Sequence, residues 1–160
     1  MEAIDLIDNY LQTSTISDND IGQIRINREL RSSLCKHFHV DKNRQFAIKL
    51  LNTFIEQRKD PDKEILIDDL MLGCYILGLH RQIGDCLIIW KAKNIDYDSY
   101  SGVDIQLIAF AGVAPTISFL QTIAADDAKD ALEYVQACFI GGDFDNLDNY
   151  FSSDNLPWWI

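Results

Sequence analysis

The residues of this chain that could do chemistry fall into three short clusters and one isolated histidine. Cys35, His37 and His39 form a C-x-H-x-H run, the residue types of a zinc corner. On a helix, residues two apart point about 200° from each other. The three could converge on one ion only if the segment were a strand. Asp96 and Asp98, with Gly102 and Asp104 behind them, follow the opening spacing of a calcium-binding loop. The glycine is displaced by one position, and Leu107 stands where the bidentate glutamate belongs. An inter-helix turn, in which aspartate side chains bond the backbone, explains these residues better. Asp143, Asp145 and Asp148, with Glu133, gather carboxylates of the kind used in acid–base work. His80 stands alone at the end of an apolar helix, where an imidazole caps free carbonyls.

None of these clusters brings a nucleophile beside a base, an oxyanion site or a phosphate-cradling glycine loop. The expectation is a non-catalytic protein with no metal and no cofactor. Charge then becomes the informative property. The 160 residues carry a net charge of −11, unevenly placed. Residues 1–20 hold −5, residues 21–59 hold +6, residues 60–100 hold −4 and residues 101–160 hold −8. Such a C-terminal half repels nucleic acid and anionic membrane and attracts a basic partner. Cys35, Cys74, Cys86 and Cys138 include no C-x-x-C pair and read as reduced thiols. The acidic N-terminus lacks the basic region of a signal peptide, and the longest apolar runs fall far short of a bilayer span. A cytoplasmic protein is expected, with its oligomeric state open.

The elements that must position these residues are helical. Ala3, Ile4, Ile7, Tyr10 and Leu11 repeat as an amphipathic helix over 2–12. Residues 21–40 stay open between helix and strand, because Ile24, Arg25 and Ile26 alternate while Leu30, Leu34 and Phe38 form a helical stripe. Asp41 is placed to cap a helix carrying Phe46, Leu50 and Phe54. That helix ends before the breaker at Asp60-Pro61. From there the chain reads as three helix pairs. The first runs from about Asp62 to Ala92. The second spans Gly102 to Ile123, with Ile105, Leu107, Ile108 and Ala111 in its first helix, a turn at Gly112, and Pro115 opening its second. In the third, Gly141-Gly142 turns the chain and Asp143 can cap the last helix.

A constant register links the three pairs. Leu87, Ile117 and Leu147 are 30 residues apart, as are Tyr75, Ile105 and Val135, and Leu79, Ala109 and Phe139. Trp90, Leu120 and Tyr150 keep the same spacing. Stacked pairs would share one continuous core. The sequence therefore predicts one all-α domain over 1–160. Its N-terminal helices (1–60) would cap about three stacked antiparallel hairpins (61–152), and residues 153–160 would seal the end. Trp158 and Trp159 either fold back as that seal or anchor a partner.

The small-residue first helix, glycine turn and Asp-rich connections of residues 68–152 resemble degenerate ankyrin repeats, without the Thr-Pro-Leu-His signature. That resemblance implies a binding surface of loops and first helices. In size, acidity and helical make-up the whole chain is similar to bacterial immunity proteins, which block the toxin domains of competing cells. This resemblance implies that acids occupy the basic cleft of a toxin, often a nuclease. The contact residues it points to are Asp96, Tyr97, Asp98, Tyr100 and Asp104 first, and Asp143, Asp145 and Asp148 second. A helical adaptor that binds a peptide or domain in an apolar groove is the alternative. A metal or carboxylate hydrolase is the enzyme reading that both displace.

Overall fold

A computed structural model describes residues 2–160, and every regular element among them is helical. In chain order these are α1 (Ala3–Thr13), α2 (Asp18–Ile26), α3 (Arg28–Val40), α4 (Arg44–Lys59), α5 (Ile67–Gly78), α6 (Cys86–Lys93), α7 (Tyr97–Gly102), α8 (Val113–Thr122), α9 (Asp126–Gly141) and α10 (Leu147–Tyr150). Two 3-10 turns, Ile83–Asp85 and Ile105–Leu107, precede α6 and α8. No described helix is long and apolar enough to cross a membrane.

The core is organised around α5. Every residue from Asp69 to Gly78 is buried, on all faces of the helix. A helix that is apolar all round must be enclosed. Here α3, α4, α6, α7 and the 105–107 turn surround it. Gly73 permits the close approach of α4: a Cβ there would lie 3.2 Å from the Cα of Leu51. The facing side of α4 supplies Phe46, Ala47, Leu50, Leu51, Phe54 and Ile55, all buried at helical spacing. On α3, Leu30, Leu34, Cys35 and Phe38 are buried, and α1 covers that layer with Ala3, Leu6 and Ile7.

Residues 21–40, left open by the sequence, form α2 and α3. Ser17 caps α2 by accepting from the Asp20 N–H at 3.1 Å. Asn27 caps α3 by accepting from the Leu30 N–H at 3.0 Å. Asn43, not Asp41, caps α4, accepting from the Phe46 N–H at 3.0 Å. Asp41 instead ends α3.

The three-pair region differs in detail from the expected pattern. Residues 105–111 form a 3-10 turn and further turns rather than a full helix. Ile105, Leu107, Ile108, Ala109 and Phe110 are all buried, so this segment is a plug in which Gln106 alone turns a polar group outward. Gly112 comes next with φ of +99°, a conformation that favours glycine, and hands the chain to α8. The Asp-rich turn before the plug contains the short helix α7. The principal partner of α9 is α8, with α6 beside it. Gly142 closes α9 in the left-handed region, φ +84°, and the Asp143 N–H donates to the Cys138 carbonyl at 3.1 Å.

The final segment folds back on α5. Tyr75 stacks on Phe151 with ring centres 5.4 Å apart and meets Trp159 edge to face at 6.0 Å. Trp159 and Ile160 are buried, whereas Trp158 is 82% exposed.

Candidate functional site

The basic segment 21–59 is turned largely toward the acids of residues 60–100. Asp69, almost fully buried, receives Arg31 at 2.8 Å and Arg25 at 3.1 Å. It also accepts the Leu66 N–H at 2.9 Å, holding the start of α5. Arg44 donates twice to buried Asp85, at 2.6 and 2.9 Å. Arg58 donates to both oxygens of Asp96, at 2.8 and 3.2 Å, and lies 3.8 Å from Asp98. Four cations on α2, α3 and α4 thus neutralise carboxylates of the middle segment. Fork-shaped guanidinium pairs of this kind hold geometry as well as charge.

The C-terminal half has no such partners. Residues 101–160 contain nine acids and one base, Lys129. Among the described residues, the one ion pair of that half joins Lys129 to Asp126; no other carboxylate there is in direct contact with a cation, and the buried Lys93 ammonium acts on Asp104 from farther away.

This division separates the two expected contact sets. Asp96 is the N-cap of α7, accepting the Ser99 N–H at 2.8 Å. The Arg58 hydrogen bond, with help from Ser99, holds its carboxyl below the usual carboxylate range. Asp98 and Tyr97 are exposed beside it. Tyr100 turns toward α9 and meets Tyr134 edge to face at 5.3 Å. Beneath these two rings lies Lys93, a buried ammonium that donates to the Tyr100 and Val103 carbonyls at 2.6 Å each. Its charge sits over both rings, 5.4 and 5.3 Å from their centres. Burial pushes the Lys93 ammonium below the ordinary lysine range.

Asp104 leaves the first set and joins the second. It lines a cleft of about 470 Å³ together with Asp143, Gln106, Asn146, Asn149, Tyr150, Asn155 and the Leu156–Trp159 segment. Tyr150 donates to Asp104 Oδ2 at 2.8 Å, and Gln106 Nε2 donates to the Asp143 carbonyl at 2.8 Å. Burial first, and then the nearby Asp143 carboxylate, push the Cys138 thiol up. Asp145 and Asp148 are exposed on the turn and on α10. The structure therefore brings Asp104 to Asp143, and it does not bring Asp96 or Asp98 into that cleft. Trp158 is the lining residue for which sequence reasoning left two roles open; its exposure beside a buried neighbour distinguishes it from Trp159.

The histidines are dispersed by the helix that carries two of them. On α3, Cys35 is buried, His37 meets Phe38 at 5.2 Å, and His39 shares a 3.0 Å hydrogen bond with Tyr75. His80 bonds the Ile76 carbonyl at 2.9 Å, a capping contact at the end of α5. Its Nε2 is buried without a partner. Among the described residues no group of three or more His, Cys, Asp or Glu side chains is placed to hold a metal ion. Compared with known protein families, with curated proteins and with solved structures, the chain matches none.

Proposed function

We propose that this chain is a non-catalytic interaction module, an immunity-type protein that binds a basic toxin domain and neutralises it. The observation that carries this reading is the uncompensated acidity of residues 101–160. The chain holds nine bases in residues 21–59. Arg25, Arg31, Arg44 and Arg58 are directed at the middle segment, and among the described residues none of the nine pairs with a side-chain carboxylate of residues 101–160; Arg28 reaches only the Ile160 carbonyl oxygen, at 3.0 Å. An acidic face maintained without internal cations accelerates encounter with a basic surface and occupies it. Asp143, Asp145 and Asp148, with Asp104, form the main contact set. Asp98 and Tyr97 extend it from the α7 side, and Asp96 braces them.

The same reading keeps residues 61–152 as degenerate hairpins of an ankyrin-like solenoid. The support is burial in register: Tyr75, Ile105 and Val135 are all buried, and Leu87, Ile117 and Leu147 are all half-buried. Phe139, exposed where Leu79 and Ala109 are buried, marks the last unit as the free edge.

The test is titration against a purified basic toxin domain, for example a nuclease domain, at rising salt. Affinity and association rate fall steeply with salt if the acidic face makes the contact. Binding indifferent to salt refutes it. That outcome favours an adaptor that uses the exposed Phe139 and Ile140 at the end of α9.

A further inference from the structure

The cleft between the 105–107 turn, α10 and residues 155–159 combines three properties. It is charged, because Asp104 and Asp143 line it and no lysine or arginine does. It is rich in amide acceptors, because Asn146, Asn149 and Asn155 contribute carboxamides. It is flanked by a free aromatic face, because Trp158 is exposed while Trp159 beside it is anchored on Tyr75. The carboxylate of Asp104 is oriented by Tyr150, which binds Oδ2 and leaves Oδ1 to accept from an incoming donor. The Gln106 bond to the Asp143 carbonyl ties the turn bearing the second carboxylate to the same side of the fold.

We propose that this cleft receives an arginine side chain of the protein partner, its guanidinium stacked on Trp158 and paired with Asp104 and Asp143. The proposal rests on the interaction reading above and names the group that reading requires. A guanidinium is flat, permanently charged and carries five donors, which matches an indole face, two carboxylates and amide oxygens together. A lysine ammonium offers charge without the plane. A neutral sugar ring could stack on the indole, but it would leave both carboxylates uncompensated. A second cleft shares Trp158 and is lined by Arg25, Arg28 and Arg31 together with Asp68 and Asp69, so two of its arginines are already paired. The first cleft holds two carboxylates and no lysine or arginine, and a cation is directed to that side of the indole.

The experiment uses the whole chain and three probes: blocked Gly-Arg-Gly, blocked Gly-Lys-Gly and the neutral disaccharide diacetylchitobiose. Binding is read by titration calorimetry, which serves every variant, and in the parent chain also from the indole N–H resonance of Trp158, with Trp90, which does not line the cleft, as internal reference. The arginine peptide shifts Trp158 saturably, and the lysine peptide binds about tenfold more weakly. Trp158→Ala and the double variant Asp104→Asn, Asp143→Asn each weaken the arginine peptide by about tenfold or more. The Trp158→Ala variant keeps the parent urea midpoint, because that side chain is exposed, so lost binding is not lost folding. No saturable shift, equal binding by the double variant, or preference for the disaccharide overturns the proposal. If the peptide fails while a basic toxin domain still binds with salt-sensitive affinity, the arginine site alone is wrong. If the peptide binds as stated but no basic domain does, the cleft stands and the immunity reading falls.

Discussion

Replacing Asp69 with Asn tests whether the basic segment is held internally by buried ion pairs. Asp69 is 1% exposed, and Arg31, its closer partner, is nearly as buried. Breaking a buried pair from one side costs about 3–5 kcal/mol, because the remaining charge stays out of water. Two features place Asp69→Asn near the lower end. Arg31 keeps its 2.8 Å bond to the Asp68 carbonyl. Arg25 is partly exposed and can turn to solvent. The Asn side-chain oxygen can still accept the Leu66 N–H, so the start of α5 is retained. The expected loss is therefore about 3 kcal/mol, which for a chain of this size lowers Tm by about 6–12 °C. The assay is urea unfolding followed by circular dichroism, with the m-value required to match the parent. A second variant, Arg31→Met with Asp69→Leu, removes the buried charges together and should recover most of the loss. A loss under about 1 kcal/mol for Asp69→Asn refutes the reasoning, since the two arginines would then be accommodated without the carboxylate.

Asp96→Ala should cost about 1 kcal/mol more than Asp96→Asn, because Asn still caps α7 whereas Ala does not; equal Tm values for the two would exclude a capping role. Asp96 also has a depressed folded pKa, so the stability it supplies is present above its ordinary value and declines as pH falls through the folded one. His80 acts in a different window. Burial lowers its pKa from the ordinary 6.5, so the unfolded chain takes up that proton first and stability falls as pH drops below about 6.5. His39 is shifted the same way, so His80→Asn should flatten the slope between about pH 6.5 and 5 only in part; an unchanged slope shows that His80 does not contribute. Changing Asp143, Asp145 and Asp148 together to Asn should leave Tm equal or slightly raised, through relief of like-charge repulsion, and should slow association with a basic domain; a clear drop in Tm means these residues brace the turn.

The helical class and most helix positions were legible because the stripes are strong. Phe46, Leu50 and Phe54 mark α4 by spacing alone, whereas the Leu30, Leu34 and Phe38 stripe of α3 competed with the alternation at Ile24-Arg25-Ile26 and left residues 21–40 open. The failures occurred where the stripe vanished. Residues 105–110 are apolar except Gln106, and periodicity cannot distinguish a buried helix from a buried plug. Asp41 and Asn43 are equally good caps by type, so the choice between them depends on where α3 stops. The acidic character of the site was visible in composition, but its arrangement was not. Nothing local distinguishes Asp96, which Arg58 neutralises from 38 residues away, from Asp104, which Tyr150 orients from 46 residues away. Both relations are long-range and arise only when the chain is packed around α5.

The same packing also explains why the unpaired acids are concentrated in residues 101–160. A chain with a net charge of −11 could have distributed its cations evenly and reduced the repulsion everywhere. Instead its best-placed guanidinium groups are fixed near the core, on Asp69 and Asp85, where their carboxylate partners are almost fully buried. A buried carboxylate without such a partner would be severely destabilising, so these cations are not free to move to the surface. The consequence is that charge in residues 101–160 can change without disturbing the core pairs, and charge in the core pairs cannot change without disturbing the fold. The proposed interaction surface benefits from that separation: charge at Asp143, Asp145 and Asp148 is open to change, and the arginine anchors of α2, α3 and α4 are not.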